Sequence, residues 1–117
     1  MNDYQRRLKS KMKEYAHYIY KISRQFPKEE MYGSVSQLRR SALSVPLNYI
    51  EGYARYKILV RINFLEISYG SLRESKFLLE FALEENWIIQ TEYEFANNLS
   101  EEIGAMLWSE IKKLKNN

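Results

Sequence analysis

A helical repeat of apolar residues runs through almost the whole chain and limits it to an all-helical fold. In the first segment these residues recur three or four positions apart, at Tyr4, Leu8, Met12, Tyr15, Ile19, Ile22 and Phe26. Such a period is typical of an amphipathic α-helix that packs one face against a core. Pro27 ends this helix, because the residue before a proline is disfavoured in the helical conformation. Residues 28–33 then form a connector with room for one helical turn.

The second segment carries a proline inside a helical pattern. A capping-box pattern at Ser34 and Gln37 predicts a helix from Ser34 to about Tyr56. Because the periodicity continues beyond Pro46, we expect that residue to kink the helix rather than end it. Two apolar stripes predict contacts on more than one side of this helix. They are Leu38, Ala42, Val45, Tyr49 and Gly52, and Leu43, Leu47, Ile50 and Ala54.

Two further helices are predicted, from Ile58 to about Asn86 and from a second capping-box pattern at Thr91 onwards. Leu65, Leu72, Leu79 and Leu83 line the third helix, and Ala96, Leu99, Ile103, Leu107, Ile111 and Leu114 line the fourth. There is no convincing strand pattern. We therefore predict one all-α domain over residues 1–117, an antiparallel up-and-down four-helix bundle with a Pro-kinked second helix.

The residue types available exclude most catalytic chemistry. The chain has no cysteine, which excludes disulfides, thiolate metal sites and cysteine nucleophiles. Its one histidine, His17, leaves no site that needs two imidazoles. Neither a glycine-rich phosphate loop nor a G-x-S-x-G element occurs. We expect a protein that is not an enzyme, with no catalytic residue, metal or cofactor.

Hydropathy predicts no membrane partner. No apolar run approaches the roughly 20 residues that span a bilayer, and the polar, basic first 13 residues do not resemble a signal peptide. The expected location is therefore cytoplasmic.

Positive charge is concentrated in the first half of the chain. Residues 1–61 hold 13 Lys and Arg against 5 Asp and Glu, a balance of +8, and residues 62–117 hold 5 against 10, a balance of −5. The split indicates a basic face for an anionic partner or packing between subunits of opposite polarity, although solvated helix faces also explain it. The candidate phosphate contacts to RNA or DNA are Arg6, Arg7, Lys9, Lys13, Arg39, Arg55, Lys57 and Arg61.

A polar stripe on the second helix is the most unusual pattern. Its members share one helix face: Gln37, Arg40, Ser44, Asn48, Glu51 and Arg55. The stripe is either a ligand surface or a polar network inside the bundle or between subunits, and we favour the network. The residues expected to serve structure or an interface are Gln37, Arg40, Ser44, Pro46, Asn48, Glu51, Gly52, Tyr53 and Glu74.

Ten tyrosines are an unusual number for 117 residues. Beside basic residues they could stack on unpaired bases. Subunit interfaces and the edges of a core also suit tyrosine, because its ring packs while its hydroxyl finds a polar partner. We favour this second interpretation for most of them.

The stretch over residues 26–55, FPKEEMYGSVSQLRRSALSVPLNYIEGYAR, resembles a known family. It is similar to the four-helix bundle proteins encoded by intervening sequences of bacterial 23S rRNA genes, which carry F-P-x-E-E-x-Y-G, Q-x-R-R-A and S-[IV]-P-x-N-x-x-E-G-[YF]. A later G-S-L-x-E element matches at Gly70, Ser71, Leu72 and Glu74.

That resemblance implies an up-and-down bundle that assembles into a ring-like homo-oligomer, typically a pentamer. Relatives that serve diversity-generating retroelements bind nucleic acid through a basic surface and contact a reverse transcriptase. Two hypotheses follow for this chain. One is a non-catalytic, oligomeric accessory protein that binds RNA or DNA, and the other is a protein-interaction scaffold with no nucleic-acid role.

Overall fold

A computed structural model describes residues 1–116, which form four long helices. These are α1 (Asp3–Ser23), α2 (Ser34–Tyr53), α3 (Ile58–Glu84) and α4 (Gln90–Lys115). A 3₁₀ turn, Lys28–Glu30, occupies the connector between α1 and α2, as the sequence predicted. The described residues contain no strand. The all-helical fold, a four-helix bundle, is confirmed.

The apolar stripes of the four helices meet in one core. Each helix contributes side chains that are fully or almost fully buried, among them Leu8, Met12, Ile19, Leu38, Val45, Tyr49, Leu65, Leu72, Leu79, Ile103, Leu107 and Ile111. All seven members of the α1 stripe except the half-buried Tyr4 belong to this core. Helical periodicity therefore identified the core correctly.

The second apolar stripe of α2 is not covered by the rest of the chain. Leu43, Leu47, Ile50 and Ala54 are exposed, Leu47 to 61%. Helix α2 contacts both α1 and α3, so contact on more than one side is confirmed, but the second stripe is not one of the faces that make these contacts. Other helices of the bundle pack only against the remaining faces of α2.

Helix α2 begins at Ser34 as predicted, but its N-cap and two helix boundaries differ from the sequence prediction. Gly33, not Ser34, is the N-cap of α2, and Ser34 Oγ instead donates to Glu30 Oε1 at 2.5 Å. Helix α4 begins one residue before Thr91, at Gln90, and Glu92 accepts the N–H of Ile89 at 3.1 Å. Helix α2 ends at Tyr53, three residues before the predicted boundary. Both predicted capping boxes are wrong: Ser34 bonds to Glu30 upstream, and at α4 it is Glu92, not Glu94, that accepts a backbone N–H, from Ile89.

Contacts between helices show which helix ends lie together. The Tyr4 hydroxyl, near the start of α1, donates to the carbonyl of Met106, near the end of α4, at 2.9 Å. Lys115 at the end of α4 pairs at 2.8 Å with Glu66 near the start of α3. Beyond the other end of α1, Gln25 donates at 2.6 Å to Glu92 in the first turn of α4.

Helices α2 and α3 approach each other closely at two buried positions. Ser68 Oγ of α3 donates to the carbonyl of Val45 at 2.7 Å, immediately before Pro46. The helical hydrogen-bonding pattern continues past Pro46, and the kink there stays a prediction. At Gly52 a β-carbon would lie 2.6 Å from Leu65 Cδ1 and 3.2 Å from Phe64 Cβ. A side chain at Gly52 would therefore displace Leu65 and crowd Phe64.

Replacing Gly52 with alanine should therefore destabilise the fold. We expect Gly52→Ala to lower the free energy of unfolding by about 1–3 kcal/mol, because the added methyl group forces the α2–α3 contact apart. Urea denaturation measures this loss. The control is Gly104→Ala in α4, where a β-carbon would make an ordinary 3.4 Å contact with Leu72 Cδ2. It should be neutral or stabilise the fold by up to about 1 kcal/mol. Equal stability of the two variants would contradict the close approach.

Candidate nucleic-acid interface

Basic residues gather where the starts of α1 and α3 meet the ends of α2 and α4. We call residues 1–13, 44–71 and 103–116 the basic half of the bundle. It holds 11 Lys and Arg against 4 Asp and Glu, a balance of +7. The acidic half, residues 14–43 and 72–102, holds 7 against 11, a balance of −4. The charge separation along the chain, +8 against −5, thus becomes a separation of +7 against −4 between the two halves of the folded bundle.

Seven of the eight predicted phosphate contacts lie in the basic half, and Arg39 lies outside it. The Arg39 guanidinium donates to Ser23 Oγ at 2.9 Å and lies 4.7 Å above the centre of the Tyr20 ring. These contacts hold the first half of α2 against the end of α1. Arg39 therefore stabilises the packing of α2 against α1.

Three arginines of the basic half are also engaged within the chain. Arg61 donates to the carbonyls of Arg55 at 2.9 Å and Gly52 at 3.3 Å, and its guanidinium lies 4.8 Å from the centre of the Tyr53 ring. These bonds clamp the short connector between α2 and α3. Arg55 pairs with Glu51. Arg6 likewise pairs with Asp3, at 2.9 Å.

Of the other eight cations of the basic half, Lys11 pairs with Glu102 and Lys115 with Glu66, and six are available to an external anion. Within residues 1–116, no ion pair or side-chain hydrogen bond engages Arg7, Lys9, Lys13, Lys57, Lys112 and Lys113. Lys113 lines a cavity of about 260 Å³ together with Tyr4 and Gln5 of α1 and Tyr53 of α2. The available cations thus come from α1, α4 and the α2–α3 connector, and they flank one end of the bundle. Lys112 and Lys113 were not predicted from the sequence, and the position of Lys113 beside α1 depends on how the helices fold back.

A buried carboxylate holds this end of the bundle together. Glu110 of α4 is only 7% exposed and accepts the hydroxyl protons of both Tyr49 and Tyr53 of α2. A carboxylate removed from water is costly unless hydrogen bonds replace its hydration. Burial, followed by the neighbouring Glu110 carboxylate, raises the pKa of both tyrosines well above the ordinary value. Both hydroxyls therefore stay protonated and donate.

Glu110 was not singled out by sequence analysis, although a signal for it exists. It lies between Leu107 and Ile111, three residues after the first and next to the second, so helical spacing places it at the edge of the apolar stripe of α4. Glutamate at such a position indicates a buried acid with partners. Of its two tyrosines, Tyr49 belongs to the α2 stripe that the periodicity assigned to the core, and Tyr53 was predicted as a structural or interface residue.

Part of the polar stripe of α2 forms a network within the chain. Asn48 Nδ2 donates to the carbonyl of Ser44 at 2.9 Å and to its Oγ at 2.8 Å. Ser71 Oγ of α3 donates to the same Ser44 Oγ at 2.8 Å. Gln37 and Arg40 are exposed. The middle of the stripe, at Ser44 and Asn48, therefore joins α2 to α3, whereas its first members, Gln37 and Arg40, lie at the surface.

The tyrosines divide between the core and the surface. Tyr15 and Tyr49 are fully buried, and the Tyr15 hydroxyl lies 2.7 Å from Ser75 Oγ of α3. Tyr56, in the connector beside Lys57, is 97% exposed. Among the residues of the basic half it is the tyrosine best placed to stack on a base.

Residues 1–116 show neither a membrane-spanning helix nor a cluster of metal ligands. None of the helices over this range has the length and apolar character needed to cross a membrane. No group of three or more His, Cys, Asp or Glu side chains in the described chain could hold a metal ion.

Comparisons with known proteins place the chain among related sequences. The sequence model of a family described as 23S rRNA-intervening sequence protein matches residues 5–109. A similar crystal structure is that of a protein of unknown function from the S23 ribosomal protein family of Bacteroides thetaiotaomicron VPI-5482. The likeness covers 90% of this chain and 98% of that chain, with a TM-score of 0.83 and 28% identity. No curated protein matches the chain.

The tyrosine–glutamate network predicts a loss of stability at alkaline pH. Unfolded tyrosines titrate near pH 10, whereas the pKa of folded Tyr49 is raised. The network's contribution is therefore fully present below about pH 10 and falls as pH rises further, because only the unfolded chain then releases the proton. We expect Tyr49→Phe to make this fall shallower and to cost about 1–2 kcal/mol at pH 7.

Urea denaturation at a series of pH values measures both effects. The exposed Tyr32 provides the matched control, since Tyr32→Phe should change neither the stability at pH 7 nor the alkaline slope. An alkaline slope for Tyr49→Phe identical to that of the unmodified protein would show that Tyr49 does not titrate as the network requires.

Proposed function

Since this chain belongs to the 23S rRNA-intervening sequence protein family, we propose that it is a non-catalytic, homo-oligomeric accessory protein that binds RNA or DNA through its basic half. The observation that carries the proposal is the charge separation, 11 basic against 4 acidic residues in one half of the bundle. Phosphate is the anion that such a surface suits, because Lys and Arg bind phosphates without reading sequence.

The positions of the available cations indicate which mode of phosphate binding to expect. Arg7, Lys57 and Lys113 lie on three different elements of the basic half, so they form a surface rather than a pocket for one phosphate. Each phosphate that they neutralise releases counterions, and affinity therefore falls steeply with salt. In a homo-oligomer the basic halves of several copies act on one polyanion, which multiplies their effect.

Tyr56 adds an aromatic contact to this surface. Its ring is 97% exposed, and Arg61 pins the connector that carries it through bonds to the carbonyls of Arg55 and Gly52. A ring held in place beside Lys57 suits stacking on an unpaired base, which is worth about 1–3 kcal/mol in single-strand binding proteins. The proposal therefore favours ligands with unpaired nucleotides over plain duplexes.

A protein-interaction scaffold with no nucleic-acid role is the second candidate. The exposed apolar side chains Leu43, Leu47 and Ile50 of α2 favour it, because uncovered apolar helix faces mark sites of protein contact. A reverse transcriptase is one protein partner that the family resemblance suggests. The scaffold proposal predicts assembly and partner docking that do not respond to charge reversal in the basic half.

Charge reversal separates the two candidates. The variant Arg7→Glu, Lys57→Glu, Lys113→Glu should bind a labelled RNA hairpin with single-stranded tails at least about tenfold more weakly at low salt. Its plot of log affinity against log salt should be less steep by about 0.7–0.9 for each lost contact. Fluorescence anisotropy measures both quantities.

The matched control reverses three cations of the acidic half. Lys21→Glu, Arg24→Glu, Lys28→Glu makes the same change in net charge far from the basic half, and it should bind within about threefold of the unmodified protein. Equal losses in both triple variants would contradict the assignment to the basic half. No binding by the unmodified protein at low salt would overturn the nucleic-acid proposal and leave the scaffold.

A further inference from the structure

A glycine, Gly70, lies in the middle of α3, and no contact within residues 1–116 explains it. A β-carbon built at Gly70 meets no atom within 4 Å. Glycine inside a helix costs about 1 kcal/mol relative to alanine, and at Gly52 the close α2–α3 contact explains that cost. Gly70 has no such contact within the described chain. The isolated bundle would be more stable with alanine there.

Gly70 faces away from the bundle. The preceding Tyr69 packs towards α4, with its ring centre 5.5 Å from that of Trp108. The following Ser71 bonds to Ser44 of α2. Gly70 therefore lies on the outer face of α3, between the side that packs on α4 and the side that packs on α2, and it is exposed.

Exposed apolar side chains flank Gly70 along α3. Ile67, one turn before it, is 43% exposed, and Phe77, two turns after it, is 64% exposed. We call Ile67, Gly70 and Phe77 the glycine face. A helix face with large apolar groups and no side chain at its centre forms a shallow groove, into which the side chains of another helix fit.

An uncovered apolar ridge lies on α2. We define the α2 ridge as Leu43, Leu47 and Ile50. The buried Pro46 lines a cavity with Ala16 and His17 of α1. Asn48 bonds to Ser44 on the side of α2 that meets α3. Leu47 lies between them and points outward.

We propose that the α2 ridge of one copy of this chain packs across the glycine face of a second copy. This inference rests on the homo-oligomer of the proposed function and names the surfaces that form it. Gly70 lets the two helix backbones approach closely. Glu66, Arg73 and Glu74 are also exposed on α3 near Gly70, a mixed set of charges that does not favour a polyanion as the occupant. The chain itself carries the complementary ridge, on a different side of the bundle, so a second copy can cover what one chain cannot.

Two exposed side chains of opposite charge, Arg40 and Glu74, support this arrangement. Arg40 of α2 and Glu74 of α3 are both exposed, and within residues 1–116 neither makes an ion pair. Arg40 lies about 10 Å before Leu47 along α2, and Glu74 lies about 6 Å after Gly70 along α3. When the two helices cross in opposite directions with Leu47 over Gly70, the long Arg40 side chain reaches Glu74. Because the two surfaces differ, the contact repeats from copy to copy and generates a ring or a filament.

Filling the groove tests the inference. Gly70→Leu should shift the mass measured by light scattering from an oligomer to the 14.1 kDa monomer, with unchanged helix content by circular dichroism. The control is Asn98→Leu at an exposed position of α4, which should leave the oligomer intact. An oligomeric Gly70→Leu protein would overturn the inference while homo-oligomerisation stands. A monomeric unmodified protein would overturn both.

A charge swap gives a second test that does not alter packing. Arg40→Glu and Glu74→Arg should each raise the dissociation constant between copies by about tenfold, and the double variant should return it towards the original value. Sedimentation over a concentration series measures these constants. Additive losses in the double variant would show that Arg40 and Glu74 do not meet, and would overturn the proposed crossing of the helices.

Discussion

The rest of the basic half depends on the buried carboxylate of Glu110. A charge at 7% exposure is tolerated only because Tyr49 and Tyr53 both donate to it, so the last turns of α2 and α4 cannot separate without stranding it. Tyr4 then ties α1 to the same end of α4 through the carbonyl of Met106. Three helix ends are thereby held in one register, and their lysines and arginines are brought to one region of the surface.

Sequence periodicity predicted most of the fold, because a 3.6-residue repeat reports directly which face of a helix is buried. The periodicity did not predict the helix caps, because the hydrogen-bond partners that determine them lie outside the apolar repeat. Ser34 bonds to Glu30 rather than to the backbone of its own first turn, so its capping pattern did not form. The candidate site was predicted only in part. Lys113 was missed because nearness to α1 depends on how the chain folds back, and Arg61 was assigned to phosphate although its guanidinium clamps the α2–α3 connector.

The two proposed surfaces face different directions, although Leu47, Ile50, Ile67 and Gly70 all lie within the residue ranges of the basic half. The α2 ridge and the glycine face lie near the middle of their helices and point sideways, where a helix of another copy can pack along them. The available cations lie towards one end, on α1, α4 and the α2–α3 connector. Sideways assembly would therefore leave the cationic ends exposed and set several of them beside one another. A surface of this kind suits a long polyanion better than a small ligand.

A footprint of the lysines tests the central claim, that charge separation directs a polyanion to one half of the bundle. Acetylation of the protein with and without bound RNA, read by mass spectrometry, reports which amines the ligand covers. The account predicts protection of Lys9, Lys57, Lys112 and Lys113, with Lys21 and Lys28 of the acidic half modified at the same rate in both samples. Protection of Lys21 and Lys28, or uniform protection of all six, would contradict it.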